Sequence, residues 1–167
     1  MTEDGESRPA KGLSLRNSAK AVIVRDGRLL VTDNRSPDDP EGRWLLLPGG
    51  GQQAGETLVE ALRREVLEET GFEVVVGSLL WIREYIGAHH EFALYDAGEH
   101  QIEFMFSAEI VGGDGRPVEQ DTWQVGVAWL SSDEIPEARL FPRALRPVIA
   151  AHVAGDARAA VYHGDVN

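Results

Sequence analysis

The sequence predicts an α/β fold, a mixed β-sheet held between helices. Two observations carry that prediction: β-rich apolar runs flank a single acidic helical segment near residues 57–71, and a second helical segment lies near the C-terminal end. Strands on both sides of a central helix, followed by a late helix, bury their apolar faces best as a sheet covered by helices.

Along the chain, residues 19–25 and 28–32 are apolar, β-rich runs separated by Asp26-Gly27, a strong hairpin signal. Residues 36–42, with two prolines and three acids, read as a loop. Trp44, Leu45, Leu46 and Leu47 form a strand that ends in Pro48-Gly49-Gly50-Gly51. Thr57 followed three residues later by Glu60 is a capping box and starts a helix. Gly71 stops it, as the residue able to turn left-handed past the last turn. Between them Leu58, Ala61, Leu62 and Val66 recur at helical spacing as an apolar stripe.

Residues 73–76 and 79–85 read as two strands broken at Gly77-Ser78, and residues 87–100 as a long polar loop carrying His89, His90 and His100. Residues 101–111 alternate, with Ile102, Phe104, Phe106, Ala108 and Ile110 on one face and Glu103, Met105, Ser107 and Glu109 on the other. Residues 112–117 turn the chain and 122–130 form another strand. Ser131 and Glu134 repeat the capping signature over a short turn curtailed by Pro136. A last helix falls within 142–154, with Pro147 either beginning or kinking it. One domain over residues 18–155 is expected, with tails at 1–17 and 156–167.

Composition narrows the function. At 167 residues and 43% hydrophobic content the chain can bury one substantial core. No apolar run reaches the roughly 18 residues of a membrane span, and the polar N-terminus lacks the apolar segment of a signal peptide. The absence of cysteine excludes disulfides and thiol chemistry and fits a cytoplasmic protein. Twenty-eight acids against 16 bases leave a net charge of -12, which repels polymeric nucleic acid and anionic membranes. A small phosphorylated substrate is still accommodated if metal ions neutralise it locally.

The helix at 57–71 carries the chemistry. Glu65, Glu68 and Glu69 stand three and four residues apart and share one helix edge. Like charges so placed repel by a few tenths of a kcal/mol per pair, ~0.3, and bordering a packed face makes them costlier. A cation offsets this, and clustered hard oxygen donors suit Mg²⁺ or Mn²⁺. The strand and glycine loop that precede the helix would present a carbonyl to the same ion.

The full pattern is Gly50, five residues, Glu56, seven residues, Arg64-Glu65-Val66, one residue, Glu68-Glu69, one residue, Gly71-Phe72. On these residues the chain resembles the Nudix hydrolase superfamily of the MutT-like type. That resemblance implies an α/β/α sandwich with the box as a loop–helix–loop, covering roughly residues 18–154. It implies hydrolysis of the pyrophosphate bond in a nucleoside diphosphate linked to another moiety, such as a nucleoside triphosphate or ADP-ribose. Glu65, Glu68 and Glu69 match the family's metal-binding glutamates, and Glu65 or a carboxylate outside the box would act as base. The Gly49 carbonyl is a further candidate ligand. Arg64, placed with Glu65 and Glu69 among the catalytic residues, is read as an organiser pairing with Glu60 and Glu68, and Glu56 as a residue fixing the loop or an outer metal shell.

The resemblance implies a further carboxylate from a later loop, with Glu119 and Asp121 as candidates and Glu103 as a third. Arg35 and Arg83 are candidate substrate contacts, as is Tyr85; Trp44, Trp81, Trp123 and Phe141 are candidate stacking groups or core. His89, His90 and His100 are either a base or ligand, or inert. The expected partner is a small nucleotide, with a homodimer as the family's frequent assembly. The alternative function is a catalytically silent nucleotide-binding sensor.

Overall fold

The structure is a computed structural model describing residues 14–38, 41–156 and 158–167. Residues 1–13 of the expected N-terminal tail and residues 39 and 40 of the expected loop lie outside the described residues. Among the described residues nine strands form one mixed sheet. They are β1 (Ser14–Arg25), β2 (Arg28–Arg35), β3 (Arg43–Leu46), β4 (Gly49–Gly51), β5 (Phe72–Ile86), β6 (Glu99–Gly113), β7 (Gln124–Ser131), β8 (Leu140–Phe141) and β9 (Tyr162–Asp165). The helices are α1 (Leu58–Thr70), the single turn α2 (Ala93–Asp96) and α3 (Arg146–Val153).

Strand order is β8-β3-β2-β1-β6-β5-β9, with β4 added to β1 and β7 to β2. The first hairpin forms where Asp26-Gly27 demands it: both residues take positive φ, 52° and 69°, the twist a two-residue hairpin needs. β1 then pairs in parallel with β6 from Ser14↔Glu99 to Ile23↔Ala108. Alternation along β1 and β2 splits the core. Val22, Leu29 and Val31 face one way, with Trp81, Met105, Ile149 and Val153, under α3. Ala19, Ala21, Ile23 and Leu30 face the other, with Leu62 and Val66 of α1. Two buried clusters on opposite faces, each closed by a helix, make the α/β/α sandwich that the sequence predicts. Leu62 and Val66 are fully buried, and each contributes about 1.5–3 kcal/mol by leaving water.

α1 begins and ends where its local signals place it. The Thr57 side chain accepts the Glu60 N–H, Glu60 accepts the Thr57 N–H, and Gly71 closes the helix at φ 72°. Pro147 stands in the first turn of α3, so it begins the helix and does not kink it.

Several expectations are corrected. The two strands at 73–76 and 79–85 are one, because β6 pairs along the whole of β5 and the Gly77-Ser78 excess is taken up as a bulge between Val76 and Leu79. Met105 lies in the core although the alternation sets it opposite the apolar face, since helices cover both faces of this inner strand. The 87–100 loop contains α2, and its end belongs to β6. Residues 14–17 belong to β1, paired with β6, and Tyr162–Asp165 add an edge strand parallel to β5. That edge is fastened by Ile82 N–H to Val161 O at 2.7 Å and by Ile86 N–H to the Asp165 carboxylate at 3.0 Å. The ordered sheet thus extends past both limits of the expected 18–155 domain.

Candidate active site

β4 lies between β1 and α1, and its backbone reaches the helix only because it is glycine. Gly49 has φ 133°, and a Cβ there would stand 2.1 Å from Ala19 O. This close approach lets the Gly49 N–H donate to Glu69 Oε2 at 2.8 Å, while the Gly49 carbonyl accepts from Lys20 Nζ at 2.6 Å. At Gly50 a Cβ would stand 2.5 Å from the Glu65 carboxyl carbon. The missing side chains leave room for carboxylates.

Glu69 is 8% exposed. Burial pushes its carboxyl up to about 7; the Lys20 charge and the Gly49 N–H oppose this, and the charges of Glu65 and Asp121 reinforce it. A carboxylate that has lost hydration favours its neutral form unless a positive charge compensates it. Its backbone is fixed too, since Gln124 Nε2 donates to Glu69 O at 2.7 Å.

Arg64 sits among the remaining acids. It clamps Glu56 with Nε at 3.2 Å and Nη2 at 2.7 Å, and reaches Glu65 Oε1 at 2.7 Å, Glu68 Oε2 at 3.3 Å and Gly51 O at 3.1 Å. The expected Arg64–Glu60 pair is a correction: the capping box occupies Glu60, and Glu56 takes its place from the loop. Glu56 also accepts the Gln53 N–H at 2.7 Å, which fixes that loop.

The later loop crosses the end of α1, with the N–H groups of Val118 and Glu119 both 2.9 Å from Glu68 O. Glu119 is exposed there, and Asp121 is the loop acid whose charge acts on Glu69. Glu103, the third candidate, is elsewhere, in a buried pair with Arg83. Among the described residues no three acids or histidines converge on one point. The donor chemistry nevertheless fits a hard divalent ion, because the enclosed Glu69 carboxylate lacks a full counter-charge and the glycine cradle is open to oxygen donors.

Beside this centre opens a cleft of about 790 Å³. Lys20 joins the two, touching Gly49 and lining the cleft. Trp44, Tyr85, Phe92, Tyr95, Trp123 and Phe141 supply its aromatic walls. Arg83 and Tyr85, two of the candidate substrate contacts, are among its lining residues. Arg83 is paired with Glu103 through its Nε. Arg35 is exposed at the end of β2 and is not part of the lining. Trp81 is core, edge-on to His152.

The three loop histidines hold structural carboxylates: His89 and His90 grip Asp165 at 2.7 and 2.6 Å, and His100 lies 3.3 Å from Glu84. Lys20, Phe92, Tyr95 and Asn167 are cleft residues that sequence reasoning missed. Only Lys20 left a signal, a lone cation inside the apolar β1 run.

Comparison with known proteins adds a family model, that of the NUDIX domain, which matches residues 15–151. A MutT-like protein of Streptomyces ambofaciens is 32% identical over 139 residues, 83% of this chain and 78% of that one. An ADP-ribose pyrophosphatase of Methanocaldococcus jannaschii is 32% identical over 93 residues, 56% of this chain and 50% of its own length, so the chain matches about half of that relative. Among solved structures, a NUDIX hydrolase from Nitrosomonas europaea superposes with a TM-score of 0.67 at 29% identity, covering 86% of this chain and 91% of that one.

Proposed function

The chain belongs to the Nudix family, and on that premise we propose that it is a divalent-metal-dependent pyrophosphohydrolase. Its substrate would be a nucleoside diphosphate linked to another moiety, either a nucleoside triphosphate or a nucleotide sugar such as ADP-ribose. One observation carries this reading: the enclosed Glu69 carboxylate, fixed by the Gly49 N–H, lies one residue's reach from an aromatic-walled cleft through Lys20.

Glu65, Glu68 and Glu69 would hold Mg²⁺ or Mn²⁺ with the Gly49 carbonyl. Glu119 or Asp121 from the loop tied to α1 would add a carboxylate, and Asp121 has the stronger electrostatic case. A divalent ion supplies charge neutralisation at the phosphates and a more acidic attacking water. The chain's own groups do the rest. Arg64 holds Glu56, Glu65 and Glu68 in one arrangement, so that their repulsion is met before substrate arrives. Glu65, whose carboxylate lies beside Gly50, or a carboxylate outside the box would take the proton of the attacking water. Lys20 presents a positive charge where the phosphates would leave the cleft for the glutamates. The aromatic walls take the flat part of the substrate by stacking.

The test is product formation from a panel of nucleoside triphosphates and nucleotide sugars with Mg²⁺, by wild type and by Glu69→Gln. Mg²⁺-dependent release of a nucleoside monophosphate, lost in the folded variant, supports the reading. Tight nucleotide binding without metal-dependent product would overturn it in favour of a silent sensor.

A further inference from the structure

The cleft floor carries an ion pair that the metal centre does not use. Arg83 of β5 and Glu103 of β6 are direct cross-strand partners, with Nε to Oε2 at 2.5 Å, and they are only 6% and 7% exposed. The C-terminal segment fixes the arginine further: Nη1 donates to Val166 O at 2.6 Å and to Asn167 Oδ1 at 3.1 Å. The guanidinium lies 5.2 Å from the centre of the Tyr85 ring.

Two polar atoms remain. Among the described residues nothing accepts a hydrogen bond from Arg83 Nη2 and nothing donates one to Glu103 Oε1. Neither atom is sealed from solvent, and the cleft is the space both residues line. Burial alone would raise the Glu103 carboxyl, but the charges of Arg83 and Lys20 outweigh it and keep the group below its ordinary value. Glu103 is therefore an ionised, acceptor-only group, beside a guanidinium that can only donate. An enclosed ion pair is weak as a stabilising device, because desolvation offsets most of its attraction. Its retention beneath aromatic walls calls for a ligand that meets both bare atoms.

We propose that Arg83 and Glu103 read the hydrogen-bonding edge of the substrate's nucleobase: Glu103 accepts from a base N–H, and Arg83 donates to the acceptor beside it. This rests on the nucleotide reading above and adds which part of the nucleotide the cleft recognises. Guanine, adenine and cytosine each offer a donor next to an acceptor. The unsubstituted purine ring has acceptors and no N–H donor on that edge. A site built to hydrogen-bond a substrate N–H rejects an analogue without it strongly, because its own buried groups are left unpaired.

The experiment measures binding and turnover separately. Dissociation constants by calorimetry, and kcat and KM with Mg²⁺, are compared for the four common nucleoside triphosphates and for purine riboside triphosphate. Wild type should favour its best common nucleotide over the purine analogue by at least about a hundredfold, mainly in Kd and KM. Glu103→Gln turns an amide N–H toward the base donor and should reduce that ratio to below about tenfold. Equal wild-type affinity for the two ligand types would overturn the proposal, and so would a ratio that survives in folded Glu103→Gln. Equal wild-type affinity overturns the proposal whether or not the variant folds. A large binding ratio without turnover would support base reading and defeat the hydrolase reading instead.

Discussion

The Glu69 carboxylate accepts the backbone N–H of Gly49 at 2.8 Å across 20 residues of sequence, inside a site where Glu69 is 8% exposed. The contact joins the glycine strand to the end of the acidic helix. It also encloses a carboxyl whose pKa rises from 4.5 to about 7, chiefly through burial.

That rise has a sign. The folded protein binds the Glu69 proton more tightly than the unfolded chain, so without metal this group is least unfavourable below pH 4.5 and increasingly costly as pH rises through 7. The full penalty is about 3 kcal/mol. Glu69→Gln keeps an oxygen to accept the Gly49 N–H and does not titrate. Denaturant unfolding of metal-free protein should show wild type losing about 3 kcal/mol relative to Glu69→Gln between pH 4.5 and 8, and added Mg²⁺ should narrow the gap. A pH-independent difference would refute the assignment.

Gly49→Ala is a sharper test of the cradle. The new Cβ would meet backbone, 2.1 Å from Ala19 O, at φ 133°. Neither partner can yield as a flexible side chain would, so a loss of more than about 3 kcal/mol is expected. At Gly55 φ is also positive, 92°, but nothing lies within 4 Å of the built Cβ. Gly55→Ala should therefore cost only about 1 kcal/mol of local strain. Thermal melts of the two variants check the contrast.

The elements legible in the sequence are those written in local signals. Thr57, Glu60 and Gly71 bound α1 because capping acts within one turn of chain. Asp26-Gly27 forms its hairpin because the twist is set by two residues. Glu68 was foreseeable as a partner of Arg64 from helical spacing, while Glu56 was not, because it approaches from the loop. β9 escaped notice for a similar reason: Tyr162–Asp165 is short and polar, and only pairing with the exposed edge of β5 makes it a strand. The cleft floor is tertiary in the same sense, assembled from β5, β6 and a C-terminal segment more than 60 residues away.

Asp165 fastens that segment. Its two oxygens take His89 and His90, and it accepts the Ile86 N–H. Although burial alone would raise its pKa, the hydrogen bonds from His90, His89 and Ile86 draw the carboxyl down to about 2. The stability it contributes is present above the ordinary value of 3.8 and fades as pH falls through 2. Asp165→Asn should free β9 locally at neutral pH, and hydrogen exchange at the Ile82 and Ile86 amides should quicken at least about tenfold while the α1 amides stay protected. Equal protection in both proteins would show that β9 holds without it.

Lys20 offers the last test, because one ammonium group touches the glycine strand beside Glu69 and also lines the cleft. It donates to the Gly49 carbonyl at 2.6 Å, and its charge opposes the burial that raises Glu69. Lys20→Met removes the charge and leaves an apolar chain of similar length in the β1 position. Glu69 should then hold its proton to a higher pH than in wild type. The acid limb of kcat/KM, which reports ionisations of the free enzyme, should move upward by at least about half a pH unit, consistent with a charge interaction of order 1 kcal/mol. Lys20→Arg keeps the charge and should leave the limb near its original position, whatever it does to the fit at Gly49. An unmoved limb in Lys20→Met, with nucleotide turnover otherwise intact, would separate Lys20 from Glu69 and confine the lysine to the cleft.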